Sequence, residues 1–197
     1  NIAEAHIENF SNIKGIAKSK SEIIRNITKE GTLILNRDDK FFNYLRNKAK
    51  LKKLKVVSFG TAFDSDIRLI KIENYNQIKK IIVQVKNKIF RINVGNTNVN
   101  NVLASLSVLN ELNLDLNQMI INFKRLQPSE GRGKIYEAKR YNKRFKLIDE
   151  SYNANPLSVK NAINSLSSIK KIKFKKYLIL GDMLELGKKS AFYHKEL

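Results

Sequence analysis

The stretch from Asp149 to Pro156 constrains the fold more than any other part of the sequence. A short apolar run typical of a strand precedes it, and a helical pattern from Ser158 to Ile169 follows it. Asn155 is a favourable N-cap, and proline suits the first helical position because its missing N–H would be unpaired there. The sequence therefore predicts a strand, an acidic turn and a capped helix. Since ligands bind at strand ends in open α/β sheets, and helix N-termini attract anions, we expect a binding site here.

The N-terminal half of the sequence alternates between strand and helix patterns. Gly31–Asn36 and Lys55–Phe59 have the composition of buried strands, and a helix pattern from about Lys40 to Ala49 lies between them. Parallel strands joined by a helix are typical of α/β folds. The sequence therefore predicts a βαβ unit and a parallel sheet in this half.

Further along, the apolar pattern changes to that of an antiparallel sheet. Ile67–Glu73 is strand-like, and two alternating runs, Ile81–Val85 and Ile89–Val94, flank the dipeptide Asn87-Lys88. Two alternating runs separated by a short polar turn predict a β-hairpin. We expect this antiparallel patch to extend one edge of the parallel sheet.

The remaining helices and the domain boundary follow from spacing and from breaker residues. Apolar residues from Ile13 to Ile27 fall near helical spacing, and two helices are expected after Gly95, ending near Leu112 and Leu126. The linker-like segment 127–133 holds a proline and two glycines. We therefore predict two domains, 1–127 and 128–197.

A second strand is expected in the later domain. Tyr177–Leu180 is a short apolar run that ends at Gly181 and Asp182. A strand, a helix and a strand predict a parallel pair with a right-handed crossover. Under that prediction, the acidic residues after both strands lie on one edge of the sheet.

Charge and composition limit the possible partners. The net charge is +20, from 38 Lys and Arg against 18 Asp and Glu, and nucleic-acid binding is one reading of such a charge. However, the basic residues are spread along the chain, and aromatic residues do not interleave with them as a base-stacking surface requires. With no cysteine there is no disulfide, and no apolar run approaches the roughly 20 residues that span a bilayer. We expect a cytoplasmic protein with no nucleic-acid partner and no stable membrane insertion.

Two strings of residues resemble signatures of the Mur ligases of peptidoglycan synthesis. Asp149–Pro156 reads D-E-S-Y-N-A-N-P and Leu180–Gly187 reads L-G-D-M-L-E-L-G. Both look most like the branch that adds D-alanyl-D-alanine to UDP-N-acetylmuramoyl-tripeptide. Shorter matches begin at Asn1, Gly15, Asn36, Gly95 and Gly131. The resemblance implies the latter part of a P-loop-type central ATP-binding domain, followed by part of a Rossmann-like C-terminal domain.

The resemblance also implies roles for individual residues. It assigns a magnesium site to His6 and to Lys20, the latter as a carbamate, and catalytic roles to Lys20 and Arg132. The residues that it implies for ATP binding are Asn98, Asn101, Arg132 and Glu150. Those that it implies for the incoming dipeptide are Tyr152, Asn153, Asn155 and Asp182. Thr97 stands where the family usually has histidine.

The implied reaction is ATP-dependent amide formation through an acyl phosphate, with ATP and Mg²⁺ as cofactors. No G-x-x-x-x-G-K-[ST] phosphate loop is present, so we expect a fragment that is inactive alone. We also expect a monomer. One alternative is another ligase of the superfamily, acting on a different amino acid or on folate. The alternative from a different class is a basic nucleic-acid-binding module.

Overall fold

A computed structural model describes residues 2–3, 7–10, 12–75, 78–95, 97–169 and 175–197. The chain folds into two compact units, a first unit of residues 21–128 and a second unit of residues 2–20 with 129–197. Within the described residues, no helix is both long and apolar enough to cross a membrane. The assignment of two ligase domains, 1–127 and 128–197, stays a prediction.

A mixed five-stranded sheet forms the first unit, in the order β1-β2-β3-β4-β5. The strands are β1 Thr32–Asn36, β2 Lys55–Gly60, β3 Ile67–Tyr75, β4 Ile78–Val85 and β5 Lys88–Asn93. The first three strands run parallel and the last two pairings are antiparallel, which confirms the predicted parallel sheet with a hairpin at its edge. The hairpin turns at Lys86 and Asn87, one residue earlier than predicted, and Lys86 has a φ of 53°.

Helices cover this sheet, and its core lies beneath them. They are α2 Ile23–Asn26, α3 Phe42–Leu51, α4 Val99–Glu111 and α5 Leu116–Met119, followed by a 3-10 helix, Ile120–Arg125. Leu103 and Leu106 of α4 are buried with Ile67 of β3 and Ile81 of β4. These residues hold the middle of α4 against the sheet, and Asn98 caps its N-terminus.

The segment with helical spacing near the N-terminus forms two helices. Residues 13–27 form α1 Ile13–Lys20 and α2 Ile23–Asn26, separated by a turn at Ser21 and Glu22. Ser21 is 2% exposed, and its hydroxyl accepts a hydrogen bond from Lys48 Nζ at 2.8 Å. The helical spacing is therefore confirmed, but as two helices, because the polar Ser21 is buried and hydrogen-bonded in the turn between them.

The second unit contains a two-stranded antiparallel sheet, β6 Lys134–Arg140 with β7 Lys143–Asp149, and α6 Pro156–Ser168. The predicted strand at Tyr177–Leu180 is absent from the described part of the unit, where these four residues are 49–91% exposed and pair with no strand. The predicted parallel crossover was therefore wrong. An apolar run forms a buried strand only when another strand pairs with it and a further layer packs against it.

A small apolar cluster stabilises the end of the second unit. Met183, Leu186 and Tyr193 are buried together, and Ala154 and Val159 pack against them. Tyr193 lies on α7, Ser190–Lys195. The cluster therefore connects the turn before α6 to the loop that carries the second signature string.

Candidate active site

The acidic turn after β7 is held to the preceding linker by the Asp149 carboxylate. Its Oδ2 accepts from Gly131 N–H at 3.0 Å, and its Oδ1 accepts from Ser151 N–H at 3.0 Å. Gly133 N–H donates to the Asp149 carbonyl at 2.7 Å, and Tyr152 N–H donates to the Gly131 carbonyl at 3.1 Å. Three of these hydrogen bonds join the turn to the linker, and the bond from Ser151 N–H lies within the turn itself.

The two acidic side chains differ in their electrostatics. Hydrogen bonds from the Ser151 hydroxyl and N–H and from Gly131 N–H lower the pKa of Asp149 below its usual value of 3.8. Partial desolvation of the Glu150 carboxyl raises its pKa above 4.5, and the neighbouring Asp149 charge adds to the shift. The folded structure therefore stabilises the ionised form of Asp149 and destabilises the ionised form of Glu150.

Arg132 lies over the ring of Tyr152, with Cζ 4.1 Å from the ring centroid. This is the distance range of a cation–π contact. Within the part of the chain that the structure describes, the Arg132 guanidinium makes no hydrogen bond or ion pair. The two residues were predicted as separate ATP-binding and dipeptide-binding groups, and the structure brings them into direct contact.

Asn155 caps α6 as the sequence predicted. Its Oδ1 accepts from Ser158 N–H at 2.9 Å, and its own N–H donates to Ser158 Oγ at 3.0 Å, which completes a capping box with Pro156 at the start of the helix. Asn153 Oδ1 is 2.8 Å from Ala154 N. These bonds involve the amide oxygens alone, so the NH₂ groups of Asn153 and Asn155 can still donate to a ligand, and each oxygen keeps a second lone pair.

Asp182 is exposed, and a histidine that sequence analysis left without a role lies beside it. Asp182 Oδ1 is 3.9 Å from His194 Nε2, and that Nε2 accepts from Met183 N–H at 3.1 Å. His194 Nδ1 is 2.9 Å from the Ser190 carbonyl, so Nδ1 carries the proton in the neutral ring. The imidazole therefore joins α7 to the loop of Asp182, a contact that no local sequence pattern signals.

Two predicted adenine-binding residues lie at the start of α4 in the first unit. Asn98 is the N-cap, and its Oδ1 accepts from Asn100 N–H at 2.9 Å and from Asn101 N–H at 3.4 Å. Asn101 is exposed one turn further on. Each residue keeps an amide NH₂ that can donate to a purine, so capping by Asn98 is compatible with the predicted role.

Thr97, which replaces the usual histidine, is held by its main chain. Its carbonyl accepts from Lys79 Nζ at 3.3 Å, and burial lowers the pKa of Lys79. The Thr97 hydroxyl is buried and has no hydrogen-bond partner among the described residues. No imidazole chemistry is available at this position.

The predicted magnesium site is only partly described. His6 lies outside the described residues, and Lys20 is the exposed last residue of α1. Among the described residues, no cluster of three or more His, Cys, Asp or Glu side chains could hold a metal ion. As an ammonium group, Lys20 has no lone pair to offer a metal, so it fits such a site only if its amine is chemically modified.

This chain is similar to a known domain family and to curated enzymes. The Mur ligase middle domain model matches residues 1–109. The UDP-N-acetylmuramoyl-tripeptide–D-alanyl-D-alanine ligase of Buchnera aphidicola subsp. Baizongia pistaciae is 31% identical over 99% of this chain, which spans 41% of that enzyme. The chain is therefore less than half as long as this curated relative.

Two solved structures are similar over the whole chain. MurF from Acinetobacter baumannii matches with a TM-score of 0.83 at 27% identity, covering 100% of this chain and 42% of that one. MurF ligase from Thermotoga maritima in complex with ADP matches with a TM-score of 0.81 at 25% identity, covering 100% and 44%. With more than half of its residues matched by the middle-domain model, the chain belongs to the Mur ligase family.

Proposed function

We propose that this chain is part of an ATP-dependent ligase that adds D-alanyl-D-alanine to UDP-N-acetylmuramoyl-tripeptide. The observation that carries the proposal is the turn after β7, where Asp149 holds the linker so that Arg132, Tyr152 and Glu150 are grouped at the N-terminal side of a capped helix. Solved relatives named MurF, one with bound ADP, support nucleotide use at this fold.

In this proposal the chain contributes mostly to nucleotide binding and charge stabilisation. The NH₂ groups of Asn98 and Asn101 donate to adenine, and the Arg132 guanidinium donates to phosphate oxygens. Arginine suits this task because its planar fork donates bidentately and stays charged. Glu150 accepts hydrogen bonds from the nucleotide. Tyr152, Asn153, Asn155 and Asp182 are the residues first assigned to the dipeptide.

The proposed reaction has two steps, a phosphoryl transfer and an aminolysis. An oxygen of the tripeptide carboxylate attacks the γ-phosphorus of ATP, and ADP leaves, which forms an acyl phosphate. The amine of D-alanyl-D-alanine then attacks the acyl carbon, loses a proton and releases phosphate. Such chemistry depends largely on positioning and on stabilising negative charge, which is the task assigned to Arg132.

We also propose Mg²⁺ as a cofactor, bound by His6 and by Lys20 after its amine has become a carbamate. A carbamate supplies oxygen ligands of the kind that Mg²⁺ prefers, whereas the ammonium cannot bind it. When bound, the ion neutralises phosphate charge. We further propose a cytoplasmic monomer that has no nucleic-acid partner.

The experiment is a coupled assay of phosphate release by the full-length gene product with ATP, tripeptide precursor and D-alanyl-D-alanine. Release that depends on all three supports the proposal. Release that instead requires D-glutamate, or folate with glutamate, would identify another ligase of the superfamily. If the protein has no ligase activity but binds RNA with an affinity that falls steeply with salt, a basic nucleic-acid-binding module is the correct reading. The 197-residue chain alone should be inactive.

A further inference from the structure

We propose that Tyr152 is a positioning residue for Arg132: its ring supports the guanidinium so that the hydrogen-bonding edge faces the nucleotide phosphates. The inference rests on the proposed function, and it moves Tyr152 from the dipeptide to the nucleotide side of the reaction. Its starting observation is the stack of Arg132 Cζ 4.1 Å from the ring centroid. Tyr152 is 67% exposed, so the ring is not held there by burial in a core.

The main chain fixes the two partners relative to each other. Arg132 follows Gly131, whose N–H donates to Asp149 Oδ2 and whose carbonyl accepts from Tyr152 N–H at 3.1 Å. Arg132 N–H donates to the Ser129 carbonyl at 3.0 Å, which forms a turn around the arginine. Both side chains therefore leave backbone segments that are hydrogen-bonded to each other, and the stack has a defined geometry.

Gly131 is needed for this close approach. Its φ is +68°, and a Cβ added there would lie 2.7 Å from both the backbone nitrogen and the Cβ of Tyr152. Real Cβ atoms are essentially never found so close to other heavy atoms. A side chain at this position would push the tyrosine away, so the glycine and the tyrosine act together to place the ring beneath the guanidinium.

The stack occupies the face of the guanidinium and leaves its edge available. Arginine carries five N–H donors in the plane of the group, and a cation–π contact uses the perpendicular direction. Since the guanidinium forms no hydrogen bond or ion pair within the described residues, those donors remain for an anion. A ring on one face reduces the number of rotamers that arginine must give up on binding phosphate.

The experiment compares Tyr152→Leu with Tyr152→Phe and with Tyr141→Leu in the full-length gene product. Tyr141 is the matched control: it is 83% exposed in the same unit, with Arg140 Cζ 5.2 Å from its ring, but it lies in the β6–β7 turn. We expect Tyr152→Leu to lower kcat/KM for ATP at least two- to fivefold, the range expected from an exposed cation–π contact. Tyr152→Phe should recover most of that loss, and Tyr141→Leu should have no effect.

Two further measurements separate positioning from a merely structural role. In an Arg132→Ala background, Tyr152→Leu should cause no additional loss of kcat/KM for ATP, because the residue through which it acts is gone. The ring current should shift the Arg132 Hε resonance upfield in wild type and in Tyr152→Phe, and Tyr152→Leu should abolish that shift. Thermal unfolding of each variant verifies that it is folded.

The possible failures are distinguishable. If wild type has no ligase activity with any acceptor, the proposed function fails, and this inference fails with it. If wild type is active but Tyr152→Leu matches Tyr141→Leu, or raises only the KM for the dipeptide, the positioning role alone is refuted. Additive losses with Arg132→Ala would refute it as well.

Discussion

Replacement of Gly131 by alanine tests the geometry of the turn most directly. Gly131 has a φ of +68°, and the added Cβ would lie 2.7 Å from two atoms of Tyr152 and 3.0 Å from its Cα. These neighbours are backbone or the base of a side chain, so they cannot move aside without moving the turn. The substitution therefore combines left-handed backbone strain with displacement of the residue that supports Arg132.

The expected loss of stability can be built from two contributions. Left-handed φ costs a non-glycine residue about 1–2 kcal/mol. Moving Tyr152 weakens the hydrogen bond between its N–H and the Gly131 carbonyl, which contributes about 0.5–1.5 kcal/mol. Together they lower the free energy of unfolding by about 1.5–3.5 kcal/mol. Turnover should fall by on the order of 10²-fold, the effect of a misplacement of about 1 Å at a reacting group.

Urea unfolding and kcat are measured for Gly131→Ala, Gly131→Asn and Gly95→Ala. Gly95 also has a positive φ, of +53°, but its added Cβ would be 3.8 Å from the nearest atom, so Gly95→Ala carries the strain without the clash. Asparagine tolerates left-handed φ but has the same Cβ. Full rescue by Gly131→Asn, or equal destabilisation at both glycines, would show that the close approach to Tyr152 is unimportant and would refute this reasoning.

Three further predictions concern other charged groups. Asp149→Asn should destabilise the protein at neutral pH. Because folding lowers the pKa of Asp149, the difference in free energy of unfolding between wild type and Asp149→Asn should persist above pH 3.8 and vanish as the pH falls through the lower folded-state pKa. Urea unfolding across pH measures this difference, and a pH-independent difference would contradict the prediction. Lys52 Nζ donates to three carbonyls at the end of α2. Lys52→Met should therefore lower the free energy of unfolding in urea by about 1–2 kcal/mol, and the control Lys53→Met should change it little. Lys20→Ala should lose most ligase activity and regain part of it with formate or acetate; a fully active variant would exclude the carbamate.

Local signals in the sequence predicted local structure well. The cap at Asn155 with Pro156 behind it, and the helix expected after Gly95, are confirmed because a few adjacent residues satisfy the free N–H groups of each helix. The hairpin of β4 and β5 is also confirmed, because its alternating apolar pattern matches its strand pairing. In these elements the residues that decide the conformation are close together in sequence.

The errors and omissions occurred where distant parts of the chain decide the conformation. Helical spacing extends across Ser21 and does not signal the turn there, in which the side chain of Lys48, far along the chain, donates to its hydroxyl. Tyr177–Leu180 had the composition of a strand but has no strand partner among the described residues. The bonds of His194 to the loop of Asp182 likewise join residues with no shared local pattern.

The acidic pair shows how one signature string divides its tasks. Asp149 ends β7 and Glu150 follows it, and the family resemblance implied an ATP-binding role for Glu150 only. Asp149 accepts hydrogen bonds from main-chain groups on both sides of the turn, which stabilises its charge and fixes the linker that carries Arg132. Glu150 has a raised pKa because it is partly desolvated and next to that charge, so a cationic or hydrogen-bond-donating ligand would stabilise its ionised form. The first carboxylate therefore builds the site, and the second is the one available to bind within it.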